Sequence, residues 1–139
     1  MKNLTVRGVS KTYFDPYAGA HVTALHEVSL EVQQGEFVSV VGPSGCGKTT
    51  LLNMIAGFIP VTRGDIVLDG RAVSGPGPDR GVVFQSFALF PWKTVLQNVA
   101  FGPRMRGLPQ AECERIAREY LGLVGLAQVE GRYPAELSG

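Results

Sequence analysis

Eight consecutive residues, Gly42-Pro43-Ser44-Gly45-Cys46-Gly47-Lys48-Thr49, constrain this 139-residue chain more than any other feature. They match the spacing G-x-x-x-x-G-K-[ST] at each fixed position, with an apolar run before them (residues 37–41) and helix formers after them (residues 49–58). Glycine lets the backbone take positive φ, so successive N–H groups turn inward and form a nest for an anion; a Cβ would block both the turn and the close approach. The nest runs into a helix N-terminus, whose free N–H groups carry roughly half a unit of positive charge. In such a cradle the Lys48 ammonium reaches β and γ phosphates and the Thr49 hydroxyl reaches Mg2+. A glycine turn that happens to carry a lysine is the plain alternative. Matching the fixed positions by chance should occur roughly once in a hundred chains this rich in glycine. The strand-before, helix-after context is also present, so the sequence favours a phosphate site.

The rest of the chain reads as an α/β fold. Residues 4–9 and 22–32 alternate apolar with polar, which predicts antiparallel strands with one wet face, joined by an exposed loop over 14–20. Residues 37–41 are apolar at nearly every position, as in a parallel strand covered on both faces. The helix over 49–58 is expected to stop at Pro60. A short strand over 65–68 turns at Asp69-Gly70, residues 74–78 are loop, and a second apolar strand over 81–84 ends at Gln85. Cys113, Ile116, Ala117, Tyr120, Leu121 and Val124 form one stripe of a helix opened by Pro109 near its first turn.

Thirteen Lys and Arg against twelve Asp and Glu leave a net charge of +1, which argues against a nucleic-acid binder working through a general basic surface. Cys46 and Cys113 lie too far apart for a metal-ligand motif, form no disulfide framework, and suit a reducing cytosol. No run of signal-peptide or membrane-spanning length occurs, so neither secretion nor a membrane span is expected. The chain holds 18 glycines without a collagen period, and the loop and its flanking turns account for part of that excess. His21 and His26 are expected to be solvated or hydrogen-bonded rather than ligands. Cys113 should pack within the helical stripe, and Cys46 should be sensitive to alkylation.

With the loop at its centre, the chain resembles the ATP-binding subunits of ABC transporters, and among them the importers of taurine, aliphatic sulfonates and nitrate. Five stretches carry the resemblance: VSKTY, GPSGCGKTTLLNMIAGF, GPGPDRGVVFQ, FPWKTVLQNVAFG and the terminal LSG. It implies a P-loop NTPase fold with a RecA-like core, an N-terminal antiparallel β subdomain and the start of a helical subdomain. Residues 1–139 are then expected to be the N-terminal part of one ATP-binding domain, ending inside its signature.

The resemblance implies an ATP-binding set of Tyr13, Gly42, Pro43, Ser44, Gly45, Cys46, Gly47, Lys48, Thr49, Thr50 and Gln85. Tyr13 would stack on adenine, with Tyr17 the weaker rival and a half-buried strand tyrosine the plain alternative. Gln85 looks like the family's switch glutamine, catalytic together with Lys48 and a Mg2+ ligand together with Thr49. Ser138 and Gly139 look like the part of the signature that binds the γ phosphate of ATP held by the opposite subunit. Phe87, Leu89, Phe90, Pro91 and Trp92 fit either the core of the helical subdomain or the groove that receives a helix of a membrane-spanning permease.

By the same resemblance, two such subunits sandwich two ATP molecules as a homodimer on the cytoplasmic face of the membrane, peripherally. They would drive a permease that imports a small anionic solute such as taurine, sulfonate or nitrate, with a solute-binding protein involved indirectly and no nucleic acid. The family's hydrolytic carboxylate follows an apolar strand ending in Asp, and no apolar run ending in Asp-Glu occurs in the sequence. This chain alone is therefore expected to bind nucleotide and to turn it over poorly or not at all. The rival readings are a soluble ABC-type protein without a membrane partner, another P-loop NTPase such as a small-molecule kinase, and a non-catalytic fragment.

Overall fold

Alternating apolar and polar residues near the start of the chain build a long hairpin. In the computed structural model, which describes residues 3–86 and 88–137, β1 (Leu4–Asp15) pairs antiparallel with β2 (Ala20–Val32), as the alternation predicts. The connecting loop is shorter than expected: Phe14, Asp15 and Ala20 stay in the ladder and only residues 16–19 turn. Asp15 holds that turn, its Oδ1 accepting from the Tyr17 and Ala18 N–H groups at 2.8 and 3.2 Å. β3 (Arg63–Leu68) pairs with the other edge of β1, and β4 (Arg71–Ala72) follows, giving the order β2-β1-β3-β4. Asp69 and Gly70 take positive φ, 52° and 77°, as a two-residue hairpin turn demands.

Val6 lies opposite Leu30 on one side and Ile66 on the other, at the centre of the sheet. α1 (Lys48–Ala56) supplies Leu51 and Met54 to the core that Val6, Val9, Leu25 and Ile66 form. Each such buried side chain stabilises the unit by roughly 1.5–3 kcal/mol. The helix stops at Gly57, before the expected Pro60: Gly57 takes φ 82° and donates to Met54 O at 3.0 Å, while Phe58 donates to Asn53 O at 2.9 Å.

Residues 37–41 and 81–84 depart from expectation. Neither enters a ladder among the described residues, and Phe37 and Val83 are 93% and 99% exposed. Apolar composition makes a segment fit to be covered on both faces; hydrogen-bonded neighbours make it a strand, and the four-stranded sheet does not include these two segments.

Contacts divide the chain into two units, Met1–Val83 and Phe84–Gly139. The second is helical, with α2 (Val95–Val99), α3 (Phe101–Met105) and α4 (Gln110–Leu123), α2 and α3 both packing on α4. Pro109 precedes the first turn of α4, and Cys113, Ala117 and Leu121 are buried. Tyr120 and Val124 are exposed, so only one edge of the predicted stripe is covered. On the wet face of α4, Arg115 donates to both carboxylate oxygens of Glu112, at 2.7 and 3.0 Å, and these hydrogen bonds hold the Glu112 carboxyl below its ordinary range. Among the described residues no helix is long and apolar enough to cross a membrane.

Candidate nucleotide-binding site

The glycines of the 42–47 loop do unequal work. Gly45 and Gly47 take φ of 82° and 93°, the region that favours glycine, and Gly47 in that conformation caps α1. A methyl on Gly47 would overlap the Leu25 side chain and lie 2.6 Å from the Ala24 carbonyl oxygen on β2. Gly42 has a different reason to be small: a Cβ there would meet Cys46 Sγ at 2.8 Å. α1 opens without a side-chain cap and with no acidic residue in its first turn, so nothing on the helix offsets the positive end of its dipole.

Lys48 folds back over the loop. Its ammonium donates to the Gly42 and Pro43 carbonyls at 2.7 and 2.6 Å and lies 3.4 Å from Cys46 Sγ. Among the described residues no carboxylate pairs with it, so neutral dipoles hold the cation and its full charge remains to meet an anion. Thr49 is exposed at the start of α1 and Thr50 is half-buried behind it. Pro43, Ser44 and Cys46 are exposed on the loop.

The hairpin that Gly47 abuts also carries Tyr13. Tyr13 pairs with Val22, two residues along β2 from the Ala24 carbonyl that Gly47 abuts, a separation of about 7 Å along the strand. Its ring is 42% exposed and has Lys11 Nζ 5.1 Å from the centroid, a cation that the sequence reading did not single out. Tyr17 lies fully exposed in the turn beyond. His21 packs edge-on against Phe14 with centroids 5.4 Å apart, and His26 is exposed; among the described residues no group of His, Cys, Asp and Glu could hold a metal ion. The oxygen donors of Thr49 and Gln85 have the hardness that Mg2+ prefers.

Gln85 is exposed and belongs to the second unit. Ser138, Gly139 and Phe87 lie outside the described residues. The aromatic side chains of the segment differ in how far they are covered. Phe90 packs against Phe101 with centroids 4.7 Å apart, whereas Trp92 is 70% exposed. Trp92, Leu96, Phe101 and Leu108 line a cavity of about 310 Å³ with Lys93 and Arg104 among its polar residues.

The segment is shaped by a residue that sequence reasoning missed. Asn98 Oδ1 accepts from the Phe90 N–H at 2.8 Å, and Nδ2 donates to the carbonyls of Phe90, Lys93 and Thr94 at 3.2, 3.0 and 3.0 Å. The start of its own helix, α2, has a legible signal, the capping box in which Thr94 and Gln97 exchange hydrogen bonds of 3.1 and 3.3 Å.

Comparison with known proteins gives one family. The ABC transporter family model matches residues 25–139. An uncharacterized ABC transporter ATP-binding protein of Methanocaldococcus jannaschii is 49% identical over 136 residues, covering 98% of this chain and 50% of that protein. The taurine import ATP-binding proteins of Roseobacter denitrificans and Escherichia coli K12 are 46% and 48% identical, covering 100% and 94% of this chain and 52% and 50% of their own. The chain thus spans about half the length of the curated relatives it matches. Among solved structures, a dimeric ATP-binding cassette in a post-hydrolysis state with ADP and Pi superposes with a TM-score of 0.85 at 31% identity, over 97% of this chain and 63% of that one. A dimeric bacterial ABC transporter cassette superposes at 0.86 and 32%, over 98% of this chain and 63% of that one.

Proposed function

This chain belongs to the ABC transporter family, and on that premise we propose that it binds Mg-ATP in the 42–49 loop as part of the ATP-binding subunit of an importer. The observation that carries the reading is Lys48, an ammonium with no carboxylate partner among the described residues, set over a loop whose Gly45 and Gly47 take positive φ at a helix N-terminus. Phosphate oxygens would replace the Gly42 and Pro43 carbonyls around Lys48, and the first-turn N–H groups of α1 would complete the cradle. Tyr13 would stack on the base, and Thr49 and Gln85 would hold a Mg2+ that supplies charge neutralisation at the phosphates.

In this reading a second ATP-binding subunit contributes its signature to each site, and Ser138 and Gly139 do the same in return. The aromatic cavity of the second unit receives an apolar helix of a permease, which places the subunit peripherally on the cytoplasmic face. A small anionic solute such as taurine is the proposed cargo, supported by the names of the relatives. The chain by itself would bind nucleotide and turn it over slowly or not at all, since its sequence holds no apolar run ending in Asp-Glu, where the resemblance puts the water-polarising carboxylate.

Lys48→Ala tests the reading directly. The variant should keep its circular dichroism and lose Mg-ATP affinity by at least about tenfold, as removal of a charge-assisted contact implies. Unchanged affinity in a folded variant sinks the assignment.

A further inference from the structure

We propose that Lys11 is a positioning residue for the nucleotide base: it holds the Tyr13 ring from one side and leaves the other side to the adenine. The proposal rests on the reading of the 42–49 loop as an ATP site and of Tyr13 as the ring on which the base stacks.

Val9, Lys11 and Tyr13 alternate along β1 and so share one face of the sheet. Val9 belongs to the core that Leu51 and Met54 of α1 complete, so this is the face on which α1 packs. Lys11 lies opposite Leu25 on β2, and a methyl on Gly47 would overlap the Leu25 side chain. Along this face the buried Val9 gives way to the half-buried Lys11 and then to the exposed Tyr13.

The Lys11 ammonium is tethered. Its Nζ donates to the Pro60 carbonyl at 2.8 Å. The backbone on either side is fastened to the same segment: the Thr62 N–H donates to Ser10 O at 2.9 Å, and Thr62 Oγ1 accepts from the Thr12 N–H at 3.0 Å. From that anchor Nζ lies over the Tyr13 ring, 5.1 Å from its centroid. Among the described residues no carboxylate pairs with Lys11, so its charge is not neutralised before it meets the ring. An ammonium has three donors, and Pro60 takes one of them.

Two effects on a stacked base follow. An exposed tyrosine samples several orientations that binding must restrict, whereas a ring held by Lys11 is set beforehand. The ammonium also draws the ring's electron density to its own side, which lessens the repulsion between the opposite face and the electron-rich face of a purine. Both effects act through the ring, so they should appear with a nucleotide and not with a base-free phosphate chain.

Calorimetric titration of wild type, Lys11→Met, Lys11→Gln and Lys11→Arg with Mg-ATP, and with magnesium tripolyphosphate, tests this. Lys11→Met is also made in a Tyr13→Leu background. Lys11→Met keeps the stem without the charge and should weaken Mg-ATP binding by about two- to fivefold. Lys11→Gln, whose amide can still donate to the Pro60 carbonyl, should show the same loss, and Lys11→Arg should recover most of it. Tripolyphosphate should bind all four proteins alike, and Lys11→Met should change nothing once Tyr13 is leucine. Unchanged Mg-ATP affinity in Lys11→Met overturns the proposal. So does full affinity in Lys11→Gln, which would leave only the tether, or an equal loss for tripolyphosphate, which would mark Lys11 as serving the phosphates or the fold. A loss that persists in the Tyr13→Leu background overturns it as well. If Lys11→Met does not fold, Lys11→Gln carries the same comparisons. Wild-type Mg-ATP affinity in Tyr13→Leu removes the stacking reading and the proposal with it, whereas a wild type that binds neither ligand removes the ATP-site reading itself.

Discussion

Gly47 stands so close to the Ala24 carbonyl of β2 that a methyl at Gly47 would come within 2.6 Å of the oxygen. The loop is thereby indexed to the hairpin, and the hairpin carries Tyr13. Gly47→Ala should combine two costs, a left-handed φ of 93° that disfavours a Cβ by roughly 1–2 kcal/mol and an overlap with backbone that cannot rotate away. Gly45→Ala, at φ 82° with open space around it, should show the first cost alone. Thermal unfolding of the two variants should place Gly47→Ala well below Gly45→Ala; equal melting temperatures would mean that the contact with Ala24 does not matter.

Tyr13 supplies the second prediction. Stacking of a base on an aromatic ring is worth about 1–3 kcal/mol, so Tyr13→Ala should weaken Mg-ATP binding by roughly 5- to 150-fold and Tyr13→Phe should change it little. Tyr17→Ala serves as the control, since that ring is fully exposed in the turn. Loss of affinity in Tyr17→Ala but not in Tyr13→Ala would reassign the stacking residue.

The two cysteines differ in a way that gives a chemical test. Cys46 is exposed with Sγ 3.4 Å from Lys48 Nζ, whereas Cys113 is buried and its Sγ donates to Leu108 O at 3.4 Å. A maleimide should therefore add once, at Cys46, and its bulk within the cradle should abolish nucleotide binding. Saturating Mg-ATP should slow the addition, and Cys46→Ser should bind nucleotide with or without reagent. Mass spectrometry checks the site; normal binding by the singly labelled protein would count against the cradle.

What the sequence discloses and what it hides follow from how local each signal is. The glycine loop ahead of α1 was legible because G-x-x-x-x-G-K-[ST] encodes a backbone path directly, and the β1–β2 hairpin because period-2 alternation is written within each strand. Residues 37–41 and 81–84 misled because a strand exists only through neighbours that composition does not name. The sequence carries α1 to residue 58, ahead of Pro60, because proline is the louder breaker, yet the helix ends at Ala56 and Gly57 completes the αL cap. Asn98 was invisible for a related reason. A mid-helix asparagine says nothing of the three carbonyls it serves, which come together only once the 90–94 turn has formed.

Asn98 therefore anchors a prediction about stability. Asn98→Ala leaves the Phe90 N–H and three carbonyls without these hydrogen bonds in a partly buried setting, at a cost of roughly 1–3 kcal/mol. Asn98→Asp should be worse at neutral pH, because it keeps the acceptor for Phe90 N–H but turns an anion toward the Phe90, Lys93 and Thr94 carbonyls. Denaturant unfolding should rank wild type above Asn98→Ala and Asn98→Ala above Asn98→Asp. The reverse order for the two variants would show that Phe90 N–H, and not the carbonyl set, is what the residue serves.

Trp92 separates the nucleotide role from the docking role. Its ring is 70% exposed beside the cavity of the second unit and contributes little to the packing there, since Phe90, against which it leans at 5.6 Å, is held independently by Phe101. Trp92→Asp should consequently leave the fold intact and leave Mg-ATP affinity within about twofold of wild type, because an exposed charge perturbs a screened surface only weakly. On the proposed docking, the substitution removes the indole from the contact surface and adds a carboxylate that must be desolvated there, so association with permease-bearing membranes should fall by at least about tenfold. Co-sedimentation with those membranes, read beside nucleotide binding on the same preparation, decides the matter. Retained sedimentation would move the docking surface away from this groove while leaving the ATP site untouched.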